Sequence, residues 1–384
     1  MKGSGMPPCA TPLPVATLAR AWGPRLSHRL ATVATFYGAT FFGVAFFGVA
    51  FRGVAFRGVA FRGVAFFSVT LLALLSSLHL SAAEADRVAY LPVSSDRQQD
   101  TWLAQPLLKL SGAIESFDAE QLEITVSGET QPTRIRTERI VWVQPGWEDE
   151  DARAGMQAYQ AGDWPQAIAR MLAALKRRPA VWRQEWLSVK LANAAFEAGR
   201  YPAAFELIAQ LDRKPLPLPM IGQLPIVWSG RTTDAGLIAA AKVKLNAAEP
   251  LARLAAASVL LTTTEATTAQ RVLEALATDA ERPLVAKLAD AQLWRQATPV
   301  ETARSVQRWQ AKTDALPPAL IHGPMAAIAE RLQAAGEAEQ AVELWLAVAL
   351  LSPDPASPQA RRAKQAAQQL LRTLGRDPDA DRLK

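Results

Sequence analysis

Cysteine occurs once in the 384 residues, at Cys9, and of three histidines only His322 lies beyond residue 83. Past the leader there is thus no disulfide and no thiolate metal site, and a Ser-His-Asp triad would hang on one residue. Gly-x-Ser-x-Gly elbows, phosphate-binding glycine loops and His-Glu-x-x-His are also missing. These absences point to a non-enzymatic chain with no catalytic residue, no cofactor and no metal. Acidic residues are absent from residues 1–83, which hold seven Lys and Arg. The remaining 35 basic and 36 acidic side chains nearly cancel, so the pI of about 9.6 belongs to the leader and not to a nucleic-acid-binding body.

Residues 1–85 read as a leader. Residues 41–70 repeat a five-residue unit, FFGVA or FRGVA, ending in FFSVT. The run resembles pentapeptide-repeat proteins, but six units are too few to stack a solenoid. Residues 30–51 are 22 uncharged residues, long enough to span a bilayer, though interrupted by three Gly and three Thr. The stronger signal follows. Arg52, Arg57 and Arg62 precede the apolar run Phe66 to Leu80, and Ser81-Ala82-Ala83 and Glu84-Ala85 come next. A basic region, a 15-residue apolar stretch and a small-residue exit make a secretory signal, cut after Ala83 or Ala85. The expected location is therefore periplasmic or secreted, with membrane attachment only through an uncleaved leader. The signal's distance from Met1 implies a true start downstream of it.

Residues 86–147 read as a small antiparallel β module. Gly112–Asp118, Leu122–Gly128 and Thr133–Pro145 are the strand candidates. Leu122, Ile124 and Val126 alternate with Glu123, Thr125 and Ser127, the period of a strand with one buried face. The last strand would carry Arg134 and Arg136 on one face.

From Glu148 onward Ala, Leu, Gln, Glu and Arg recur at helical spacing, giving about ten helices between residues 149 and 376. The acidic run Glu148 to Asp151 suits a helix N-terminus, and Lys214 to Pro225 reads as an extended loop, since proline cannot continue a helix. Gly155 to Pro179, with Tyr159, Gly162-Asp163-Trp164, Ala167 and Ala174, resembles a tetratricopeptide repeat. Ala195-Phe196, Gly199-Arg200-Tyr201 and Ala204 give a second unit; Leu332, Gly336, Ala341 and Pro353 give a third. Gly162 would end a helix in the left-handed region and Asp163 would cap the next. Ala252–Ala255 and Ala286–Ala289 recur 34 residues apart, each after a proline, and resemble HEAT-type or diverged tetratricopeptide helices.

The expected fold is thus mainly α, a tetratricopeptide-like α-solenoid of helical hairpins preceded by the β module. Residues 148–228 hold tetratricopeptide-like helices and the Pro-rich loop, residues 229–315 the HEAT-like or diverged helices, and residues 316–384 the C-terminal tetratricopeptide-like helices. The resemblance implies a groove for a protein or peptide ligand, with Met156, Tyr159, Gln160, Trp186, Asn193, Phe196 and Glu197 as its lining. The leading expectation is an exported adaptor. Two alternatives stand beside it: a wall-associated protein binding polymer through Arg134 and Arg136, or an enzyme using Asp118, Glu120 or Glu148. His322, in Leu-Ile-His-Gly-Pro, reads as a loop histidine.

Overall fold

Strand-forming residues come first, and the computed structural model joins them into one sheet. The structure describes residues 85–93, 106–230, 234–352 and 354–383, within the unit Ala83–Lys384. The repeat run and the signal stretch lie outside the described residues, as does Pro353.

Five antiparallel strands, β1 (Asp86–Tyr90), β2 (Leu108–Phe117), β3 (Gln121–Val126), β4 (Thr133–Arg136) and β5 (Ile140–Gln144), pair in the order β4-β3-β2-β1-β5. The register sets Ile114 against Ile124, Leu122 against Ile135 and Val88 against Val143, so one buried apolar row crosses the sheet. The run expected as a single last strand is broken in two by a 3-10 turn, Thr137–Arg139, and β1 was not foreseen. That turn has a geometric consequence. Four residue steps from Arg136 to Ile140 reach at most about 14 Å, whereas a flat five-stranded sheet would set its edges about 19 Å apart. The sheet must therefore curl, and irregularities at Ala89/Tyr90 and Ile114/Ser116 supply bends.

Fourteen α-helices follow among the described residues. In chain order they are α1 (Glu150–Ala161), α2 (Trp164–Lys176), α3 (Val181–Glu197), α4 (Tyr201–Leu211), α5 (Leu218–Ile221), α6 (Ala235–Lys244) and α7 (Pro250–Leu260). Then come α8 (Ala266–Ala277), α9 (Pro283–Leu293), α10 (Pro299–Asp314), α11 (His322–Ala334), α12 (Ala338–Leu351), α13 (Pro358–Thr373) and α14 (Asp377–Asp381). Local chemistry sets their ends. Asp149 caps α1 by accepting from Ala152 N–H, and Asp163 caps α2 by accepting from Gln166 N–H. Gly162, Gly199, Gly336 and Gly375 all have positive φ, between 71° and 86°, where a Cβ is strained. Each ends a helix and turns the chain into the next, and α1/α2, α3/α4, α11/α12 and α13/α14 pack as neighbours. Ala167 and Ala174, both fully buried, let α2 approach α1 closely. No helix among the described residues is long and apolar enough to cross a membrane.

The sheet is fastened to the helices by one buried carboxylate. Asp86, 2% exposed, accepts from the backbone N–H of Ile114 (2.8 Å) and Gly146 (2.7 Å), and both its oxygens accept from Arg183 of α3 at 2.9 Å. Arg183 lies over the rings of Trp182 and Trp147, and the Trp182 indole donates to the Ile114 carbonyl. Removing one partner of such a pair leaves an uncompensated charge, at a cost of about 3–5 kcal/mol. Asp86→Ala should therefore lower the unfolding free energy in urea by about that amount, while the exposed Arg134→Ala should change it by less than about 1 kcal/mol. Equal effects would contradict this assignment.

Candidate functional site

The expected groove residues lie on α1 and α3, and the chain itself covers most of them. Tyr159 (1% exposed), Phe196, Trp186 and Asn193 are buried, Met156 and Glu197 are partly buried, and Gln160 is exposed. The Pro-rich segment meets this face at Asn193. Leu216 to Ile221 and Leu224 to Trp228 are buried inside the helical array rather than crossing its surface, with α5 as one short turn.

Few of this segment's backbone groups belong to a helix, so side chains must satisfy the rest. Asn193 donates from Nδ2 to the Gln223 carbonyl at 2.5 Å and to the Val189 carbonyl at 3.1 Å. Val227 N–H donates to Ser258 Oγ at 3.0 Å. The Val227 carbonyl accepts from Gln292 Nε2 (3.0 Å) and Arg295 Nη1 (2.9 Å). Burial lowers the Arg295 pKa to about 10, with Glu330 acting in the opposite sense, so the guanidinium stays charged at neutral pH. Two glycines allow the close packing: a Cβ at Gly222 would strike the Ala319 carbonyl, and one at Gly323 would enter the Trp228 ring.

The C-terminal helices close the same face. Lys190 of α3, 2% exposed, pairs with Asp354 at 2.5 Å and lies 5.0 Å from the Tyr159 ring centroid. Arg362 of α13 pairs with Glu197 at 3.0 Å, and Arg361 lies over the Trp164 ring. Between these parts remains a polar cavity of about 40 Å³, bounded by Tyr159, Lys190, Asn193, Gln223, Asp354 and Gln359. That is room for about three waters.

A second groove is open. It holds about 600 Å³ between α11 and α13, with Glu330, Gln333, Trp345, Arg362, Gln365 and Gln369 on its walls. The sequence did not place these residues in a groove, although a signal existed. Counting back from Gly199, six and three residues give Asn193 and Phe196; counting back from Gly336 gives Glu330 and Gln333, and six before Gly375 is Gln369. These positions, counted back from the turning glycines, thus line the cavity or the open groove.

The other candidate residues lie away from both grooves. Arg134 pairs with Glu123 at 2.8 Å and Arg136 with Glu138 at 3.4 Å, so the basic strand face is neutralised locally. Asp118 accepts from the N–H groups of Glu120 and Gln121 in a turn, and Asp118, Glu120 and Glu148 are all exposed. No group of three or more metal-ligating side chains occurs among the described residues. Comparison with protein-family models, curated proteins and solved structures gives no match.

His322 is not in a loop. It is the first residue of α11, 6% exposed, and its Nε2 lies 2.8 Å from the Leu351 carbonyl, to which the neutral ring donates. Burial lowers its pKa to about 4, against the opposing effect of that hydrogen bond. A pKa below the unfolded value means that the neutral ring's contribution is complete above about pH 6.5 and is lost as the pH falls toward 4. Between pH 7.5 and 4.5 the wild-type protein should lose about 2.5 kcal/mol more unfolding free energy than His322→Gln, measured by urea titration at both pH values. Identical pH dependence in the two proteins would refute the assignment.

Proposed function

We propose that the chain is an exported, non-enzymatic interaction scaffold built from tetratricopeptide-like hairpins, and that it holds a partner protein in the groove between α11 and α13. The export signal in Phe66 to Leu80 supports the location. Four helix pairs support the architecture: a left-handed glycine turns each of them, with a small buried residue five positions on at Ala167, Ala204, Ala341 and Ala380. Such hairpins stack because none can bury its apolar face alone.

One observation carries the choice of groove. The face of α3 that carries Asn193 already holds an extended segment, gripped as a peptide ligand would be. The equivalent face of α11 is open. The first pair of hairpins thus binds the chain itself, and the last is free for another protein. The exported fraction of cells carrying a photocrosslinking phenylalanine derivative at Gln333 or Gln369 should yield one discrete protein adduct on irradiation. The same probe at Gln270, exposed on α8, should yield none. Adducts independent of position, or none from either groove site, would overturn the reading.

A further inference from the structure

Two buried groups on the walls of the open groove lack partners, and both are donors. Trp345 is 4% exposed, and its indole N–H is buried without an acceptor. Arg331 Nε is likewise buried without one. Buried donors left unpaired cost free energy that an incoming acceptor recovers. The carboxylate on the groove wall, Glu330, is engaged: one oxygen accepts from Gly230 N–H at 2.5 Å and the other lies 3.9 Å from Arg331. Behind this wall Arg295 is buried with two guanidinium nitrogens unpartnered, which adds positive potential. Unfilled donors and a surplus of positive charge call for an acidic ligand.

Arg362 gives the site a second property. It borders both the open groove and the small cavity beside α13, and among the described residues it alone is common to the two linings. In the structure it donates to Glu197 at 3.0 Å, with its side chain 37% exposed. A carboxylate entering the groove competes with Glu197 for this guanidinium.

We propose that the groove binds an acidic segment of the partner, its carboxylates meeting Arg331, the Trp345 N–H and Arg362, and that Arg362 leaves Glu197 to do so. This rests on the reading of the α11–α13 groove as the partner-facing one. Occupancy then loosens one of the ties between α13 and α3, so partner binding and closure of the N-terminal hairpins oppose each other.

Fluorescence anisotropy of the purified protein with two labelled twelve-residue peptides, alternating Glu-Ser and alternating Gln-Ser, tests the proposal. The Glu peptide should bind at least about tenfold tighter than its uncharged counterpart. Trp345→Phe, which keeps the ring and removes only the N–H, and Arg331→Gln should each weaken it by about fivefold or more. Glu197→Gln should tighten it by about threefold, because Arg362 no longer has a competing carboxylate. Thermal midpoints of the three variants separate lost binding from lost folding. Equal affinity for the two peptides, or no binding of either, overturns the acidic ligand. Unchanged or weaker binding by Glu197→Gln overturns the exchange at Arg362. Neither result touches the scaffold reading, which falls only if the groove crosslinks no protein.

Discussion

The fold depends on how a proline-rich segment with few regular hydrogen bonds is held inside a helical protein. Buried backbone polar groups without partners are costly, and residues 222–228 carry several that no helix or strand can satisfy. Asn193 on α3, Ser258 on α7, Gln292 on α9 and Arg295 just beyond α9 supply the partners. Four side chains from three helices and a following turn therefore converge on one short stretch. Each helix is fixed by the segment it grips. The carbonyl of Val227, which accepts from both Gln292 and Arg295, is the most heavily engaged of these groups.

From this interior segment the rest of the arrangement follows. The segment meets α3 at Asn193, and beside it α3 is tied to the chain before α13 by Lys190–Asp354 and to α13 itself by Glu197–Arg362. The sheet docks nearby, where β5 approaches α5 and the 3-10 turn Pro318–Leu320, and Asp86 and Arg183 lock it to α3. The groove between α11 and α13 stays open, touched by the continuation of the same segment only at its edge, where Gly230 N–H donates to Glu330. The helical body thereby has one cavity closed by its own chain and one open groove.

What the sequence made legible was local. The caps Asp149 and Asp163, the turning glycines and the helix starts at Pro250 and Pro283 each depend on residues within one turn of each other, and all are where their chemistry places them. The mainly helical body after a small antiparallel sheet was legible for the same reason. What escaped was long-range. The grip of Asn193 on Gln223 spans 30 residues, and Lys190 and Asp354 are 164 residues apart. Periodicity carries no information about such pairs. His322 looked like a loop residue because Gly323 and Pro324 follow it, yet Pro324 occupies the first turn of α11, where its missing N–H is tolerated. Gly323 is there because the Trp228 ring leaves no space for a Cβ, which only the folded chain reveals.

In this structure the chain's own Pro-rich segment is held inside the helical body by Asn193 and Ser258. Amide hydrogen exchange of residues 224–228, compared with that of α7, tests it most directly. A segment of this composition lying on the surface would exchange at the rate of an open chain. The structure predicts instead that Val227, donating to buried Ser258, exchanges as slowly as the interior amides of Leu251 to Leu260, through opening of the whole helical body. Rapid exchange at Val227 with α7 still protected would show that the segment leaves the groove on its own, and would contradict the account.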